Sequence, residues 1–156
     1  MTKAGYTAST ESAVALAAAT AKSVLGIAAP AQFGVDLKKL RVAFDGVTAS
    51  AVPVLIELCY ATFATNGPGT NSTSATVDQV YGRTITAGFT AAKNWSAEPT
   101  VLTVIDEWLL TPVGGLVIYD FPLGDTPDTA VSNGFVLRCT APAIVNVRGT
   151  LWFERC

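Results

Sequence analysis

From Val145 to Glu154 the chain alternates with a period of two. Val145, Val147, Gly149, Leu151 and Phe153 fall on one side, and Asn146, Arg148, Thr150, Trp152 and Glu154 on the other. Successive side chains of an extended strand point to opposite faces, whereas a helix would scatter this pattern around its axis. The stretch therefore commits the C-terminal region to a sheet with one face against a core. The same rhythm recurs in DLKKLRVAFDGV, where Leu40, Val42 and Phe44 alternate with Lys39, Arg41, Ala43 and Asp45 before a turn signal at Asp45–Gly46. AVPVLIELCYATFAT sets Val52, Val54, Ile56, Leu58 and Tyr60 on one face and Leu55, Glu57, Cys59 and Ala61 on the other. Being apolar on both, it reads as a central or covered strand, and Pro53 suits its start.

The segment AVALAAATAKSVLGIAAP, residues 13–30, is the exception by composition. Alanine favours helix, but only by tenths of a kcal/mol per residue. The segment has no charged face for an amphipathic helix and carries Val14, Thr20, Ser23, Val24 and Ile27. It reads as two strands, 13–18 and 21–28, with alanines that allow a second sheet or subunit to approach closely. Further strands are expected at 77–81 and 84–90, in TVLTVIDEWLL, in LVIYDFP and in FVLRCT. NGPGTNSTSAT (66–76), TPVGG and LGDTPDTAVSNG carry turn chemistry, and the first of these reads as an exposed loop. Turn signals every ~8–12 residues without a βαβ rhythm indicate an all-β chain. The expected fold is a single antiparallel β-sandwich, jelly-roll-like, over residues 13–156, preceded by a short N-terminal arm over residues 1–12.

Half of the residues are hydrophobic and 14% are charged, against about 25% charged in typical domains. Either much of the surface is uncharged Thr, Ser, Ala and Gly, or part of it is covered by other subunits, and the low-charge, apolar-rich composition favours the second in part. Net charge is −2, and the densest basic run is Lys38-Lys39 with Arg41 nearby. This is no footprint for nucleic acid, so no nucleic-acid partner is expected. No uninterrupted apolar run reaches the ~18–20 residues of a membrane span. The first residues lack the apolar core of a signal peptide. The reading is synthesis in a cytosol with no membrane partner. Cys59, Cys139 and Cys156 have no paired spacing, so no disulfide framework is expected, and Cys59 and Cys139 read as buried fillers.

There is no histidine, which removes the commonest general base and zinc ligand. Asp106, Glu107, Asp120, Asp125 and Asp128 are the carboxylates that could act in acid–base chemistry, but Asp106 and Glu107, adjacent in a strand, would face opposite ways. DFPLGDTPD offers oxygen ligands without the spacing of a calcium loop, and solvated turn aspartates are the ordinary case. No catalytic residue, cofactor or metal is expected. Of the tryptophans, Trp108 reads as core. Trp95, in a loop beside Asn94 and Ser96, and Trp152, on the outer face of the last strand, are the candidate contacts for a ligand or partner. They could stack on a sugar, as in a carbohydrate-binding sandwich, or cover a neighbouring subunit.

AKSVLGIAAPAQ, LRVAFDGVTASAVPVLIEL, WLLTPVGGLVIYDFPLGD and LRCTAPAIVNVRGTLWFE follow one another across the region from Ala13 to Glu154. Together they resemble small all-β capsid decoration (cement) or minor capsid proteins of tailed bacteriophages. The segments FDG, PLGD and TAPA–VNV carry most of the likeness. The resemblance implies a structural virion protein without catalysis, seated as a homotrimer on the outer surface of the major capsid protein lattice and stabilising the shell. A tail or head–tail connector subunit would share the same composition.

Overall fold

The computed structural model describes residues 4–45 and 52–156. Gly46 of the expected Asp45–Gly46 turn lies outside the described residues. The strands are β1 (Gly5–Ser9), β2 (Val14–Leu16), β3 (Ala21–Ala28), β4 (Val35–Asp45), β5 (Val54–Ala61), β6 (Thr73–Ala75) and β7 (Val77–Tyr81). They continue with β8 (Thr90–Lys93), β9 (Leu102–Leu110), β10 (Leu116–Asp120), β11 (Asp128–Thr129), β12 (Gly134–Thr140) and β13 (Val145–Arg155). Among the described residues there is no helix.

Two antiparallel sheets form the expected β-sandwich. The front sheet has the order β10-β4-β13-β1-β7, with β2 also on β13 and β11 also on β4. The back sheet has the order β6-β8-β3-β12-β5-β9. The roll in this sandwich is a ribbon: β4 pairs β13 in front, and the chain segments that continue them, β5 and β12, pair behind.

The inward faces follow the alternation. Leu40, Val42, Val147, Leu151 and Phe153 from the front meet Leu25, Ile27, Ile56, Leu58, Phe135 and Leu137 from the back in one core. Burying each such side chain contributes about 1.5–3 kcal/mol. Phe89 packs edge-on against Tyr6, Phe33 and Phe153 at centroid distances of 5.8, 5.2 and 4.8 Å. The sequence pattern of β4 breaks once, because Leu37 and Leu40 are both buried although three apart. The register shifts where Trp152 pairs Lys39 and Phe153 pairs Leu37. One extra residue on β4 resets the phase there, as a bulge does.

Three expectations are corrected. The arm over residues 1–12 contains β1, which lies between β13 and β7 with Tyr6 and Ala8 buried; alternating Tyr6 and Ala8 reach the core from the inward face. The strand expected at 84–90 begins only at Thr90. Ile85 instead serves the side chains of neighbours, its carbonyl accepting from the Tyr6 hydroxyl and its N–H donating to Gln79. Finally, residues 66–76 are not simply a free loop. Thr73–Ala75 pairs with β8, and the preceding turn folds back on the outside of the back sheet.

Candidate functional site

Trp95 explains that fold-back. It follows β8, and its ring lies over Gly26 of β3 on the outward face of the back sheet. A Cβ at Gly26 would stand 2.8 Å from the Trp95 ring and 3.2 Å from Val136. Only a glycine lets the indole lie this close. Trp95 is 1% exposed, and its Nε1 donates to the Asn66 carbonyl at 2.7 Å. Asn66 Nδ2 in turn donates to the Glu98 carbonyl. Asn66, Asn71 and Asn94 take positive φ, which asparagine tolerates better than most residues. Trp95 is therefore a clamp that seals the outer face with Phe63 and Leu102 nearby on Cys59, Ala61 and Val136. Its polar atom is thus engaged and its ring is almost wholly covered, although Trp95 still lines the groove beside it.

Beside this clamp lies a groove of about 670 Å³, lined by Ala15–Ala18, Thr20–Lys22, Trp95, Ser96, Glu98 and Ile144. Its polar groups are turned to internal partners. The Glu98 carboxylate accepts from the Ser23 N–H and hydroxyl at 2.7 and 2.5 Å, and Lys22 donates to the Ala15 carbonyl. On the same face Arg138 donates twice to Glu57, through Nε at 2.7 Å and Nη2 at 3.0 Å. Burial pushes the Cys59 thiol up to about 11 and the Cys139 thiol higher still. Both stay protonated at neutral pH.

Trp152 keeps the place the alternation gives it, on the outward face of the front sheet. It is half-buried, with Lys39 Nζ 5.4 Å and the Arg41 guanidinium 5.5 Å from its ring centroid. Lys39 pairs with Asp120 at 3.3 Å. Arg41 has no carboxylate partner among the described residues; Nη2 reaches the Thr150 hydroxyl at 3.5 Å. Strand β10 extends this face, because Ile118 lies opposite Arg41 and Leu116 opposite Ala43. Trp152, Arg41, Ile118 and Leu116 thus make one apolar and basic surface.

Trp108 packs against the core as expected, but only partly buried, and its Nε1 finds no partner. It borders a gap of about 270 Å³ between β9 and β10, with Asp106, Val117 and Tyr119. Glu107 lies opposite Glu57 on the outward face of the back sheet, so Asp106 and Glu107 do diverge. Among the described residues no three His, Cys, Asp or Glu side chains are placed to hold a metal ion, Asp120, Asp125 and Asp128 included.

Comparison with known proteins gives little. No protein-family profile and no curated protein matches the chain. Among solved structures it is similar to a mutant VP2 protein of infectious bursal disease virus in derived T=1 particles, at 10% identity and a TM-score of 0.19. That alignment covers 97% of this chain and 40% of the VP2 chain. A likeness of that size carries no argument.

The feature that sequence reasoning passed over is the concentration of exposed apolar residues. Of the thirteen exposed large hydrophobics among the described residues, eight lie between Val101 and Leu123. A signal was present: from Asn94 to Leu137 there is no lysine or arginine, but there are six acidic residues. A segment that is apolar, acidic and free of bases does not resemble an ordinary solvated surface.

Proposed function

We propose that this chain is a structural virion protein, a capsid decoration protein that binds the outer surface of a phage major capsid lattice as a homotrimer and stabilises the shell. The observation that carries the reading is the run of exposed apolar side chains from Val101 to Leu123, eight of the thirteen exposed large hydrophobics among the described residues, on an otherwise well-packed sandwich. Monomers rarely keep large contiguous apolar areas open to water, and such areas mark contacts with other proteins. The resemblance of the strand segments to decoration proteins supplies the kind of partner. A protein that binds only the assembled lattice adds its binding free energy to the stability of that state.

The test is to add purified protein to expanded shells that lack it. Stoichiometric binding and a higher shell melting temperature are expected. Shells that neither take up the protein nor gain stability would refute the proposal. Imaging the decorated particle separates the related virion roles, since threefold clusters on the shell differ from the rings of a tail or connector.

A further inference from the structure

We infer that the two flanks of the sandwich's open side bind each other between copies of this chain. Strand β9 ends the back sheet and β10 ends the front sheet, and the short turn between them places both on the same side. Neither strand carries a lysine or proline, two of the usual guards against edge-to-edge pairing. The flanks they border differ in charge. Beside β9, Leu109 is 66% exposed next to Glu107, whose carboxylate has no ion pair among the described residues. Its cross-strand neighbour Glu57 is already held by Arg138. Beside β10, Leu116 and Ile118 are 55% and 52% exposed, and Ile118 lies opposite Arg41, a cation without a carboxylate partner among the described residues.

One flank is apolar with a spare anion, and the other is apolar with a spare cation. Each has the chemistry that the other requires, so the occupant that fits both is a second copy. Like-charged flanks would repel identical contacts and favour the mixed one. Because the joined surfaces differ, the association is head-to-tail. No shell takes part in this contact. The inference rests on the homotrimer of the proposed function and names its contact: a failure here removes the homotrimer and leaves shell binding to its own assay, while failure of shell binding leaves the contact standing.

The experiment is native mass spectrometry and light scattering on the purified full chain at micromolar concentration. The wild type is expected to be multimeric. Glu107→Arg and Arg41→Glu each raise the dissociation constant at least ~10-fold, as opposed like charges do, and the two combined in one chain restore association. Ile118→Asp disperses the multimer. Asp78→Lys, on the exposed far-edge strand β7, leaves it intact. Circular dichroism confirms that each variant is folded. A monomeric wild type overturns the inference. So does a multimer that survives Ile118→Asp, a double reversal no better than the single ones, or dispersal by Asp78→Lys.

Discussion

Replacing Gly26 with alanine places a methyl carbon 2.8 Å from the Trp95 ring, 3.2 Å from Val136 Cγ2 and 3.3 Å from the Phe135 carbonyl. In an open strand the change would help, because alanine reduces the conformational freedom of the unfolded chain by about 0.4–1 kcal/mol. Here the ring cannot swing aside. Trp95 is 1% exposed and tied through Nε1 to Asn66. Overpacking of this kind costs about 1–3 kcal/mol, so the net expectation is a loss of about 1–2 kcal/mol. For a chain of this size that lowers the melting temperature by about 2–8 °C. The companion variant is Trp95→Phe, which shortens the ring and gives up its hydrogen bond. Alone it destabilises, but in the Gly26→Ala background it makes room for the new methyl. The double variant should then be more stable than the sum of the single losses by at least ~0.5 kcal/mol. Urea unfolding followed by circular dichroism measures all four proteins. Strict additivity, or a stabilising Gly26→Ala, would show that the clamp is looser than described.

Arg138→Met leaves the nearly buried Glu57 without its two donors and should cost about 3 kcal/mol, whereas Glu57→Leu combined with Arg138→Met should recover most of that loss in a denaturant titration. Thiol titration of the native protein should modify Cys156 first, because it is exposed, while Cys59 and Cys139 react only on unfolding. The Glu11 carboxyl is held down at about 2 by hydrogen bonds from Lys93 and the Thr76 N–H. Its contribution to stability is present above the ordinary glutamate pKa and disappears as the pH falls through about 2. Lys93→Met should return the Glu11 titration toward ~4.3 when followed by NMR.

The strands that announced themselves most clearly are those whose partners lie on both sides. β13 and β5 bury one full face against the opposite sheet, so period-two selection acts on every second residue. The Ala-rich segment also resolves into strands, Val14–Leu16 and Ala21–Ala28, since its core-facing Leu16, Leu25 and Ile27 outweigh alanine's weak helix preference. What escaped the reading depends on distant partners. β1 has few apolar residues of its own and becomes a strand because β13 and β7 supply hydrogen bonds from far along the chain. The bulge in β4 leaves only a one-residue break in phase. Trp95 looked available because its neighbours Asn94 and Ser96 are turn residues, and nothing local reveals that Gly26 clears a seat for it. Trp152 was legible as an outward residue, but its two cations and the apolar extension through Ile118 became visible only once β10 was placed beside β4.

The central position of β13 also sets the timing of folding. β1, β2 and β4 all pair with it, and all three leave the ribosome earlier. Until β13 emerges, β2 has no strand to join, β1 has only β7 and β4 only β10 and β11, and the edges that β13 will fill stay open to other nascent chains. The front sheet is therefore completed late, by contacts between residues more than a hundred positions apart, such as Ala8 with Leu151, and topologies of that kind fold slowly. A nonsense mutation just before Val145 would remove little of the length but the organising strand of an entire sheet, so truncated chains should be cleared or aggregate rather than persist as slightly weakened versions of the whole.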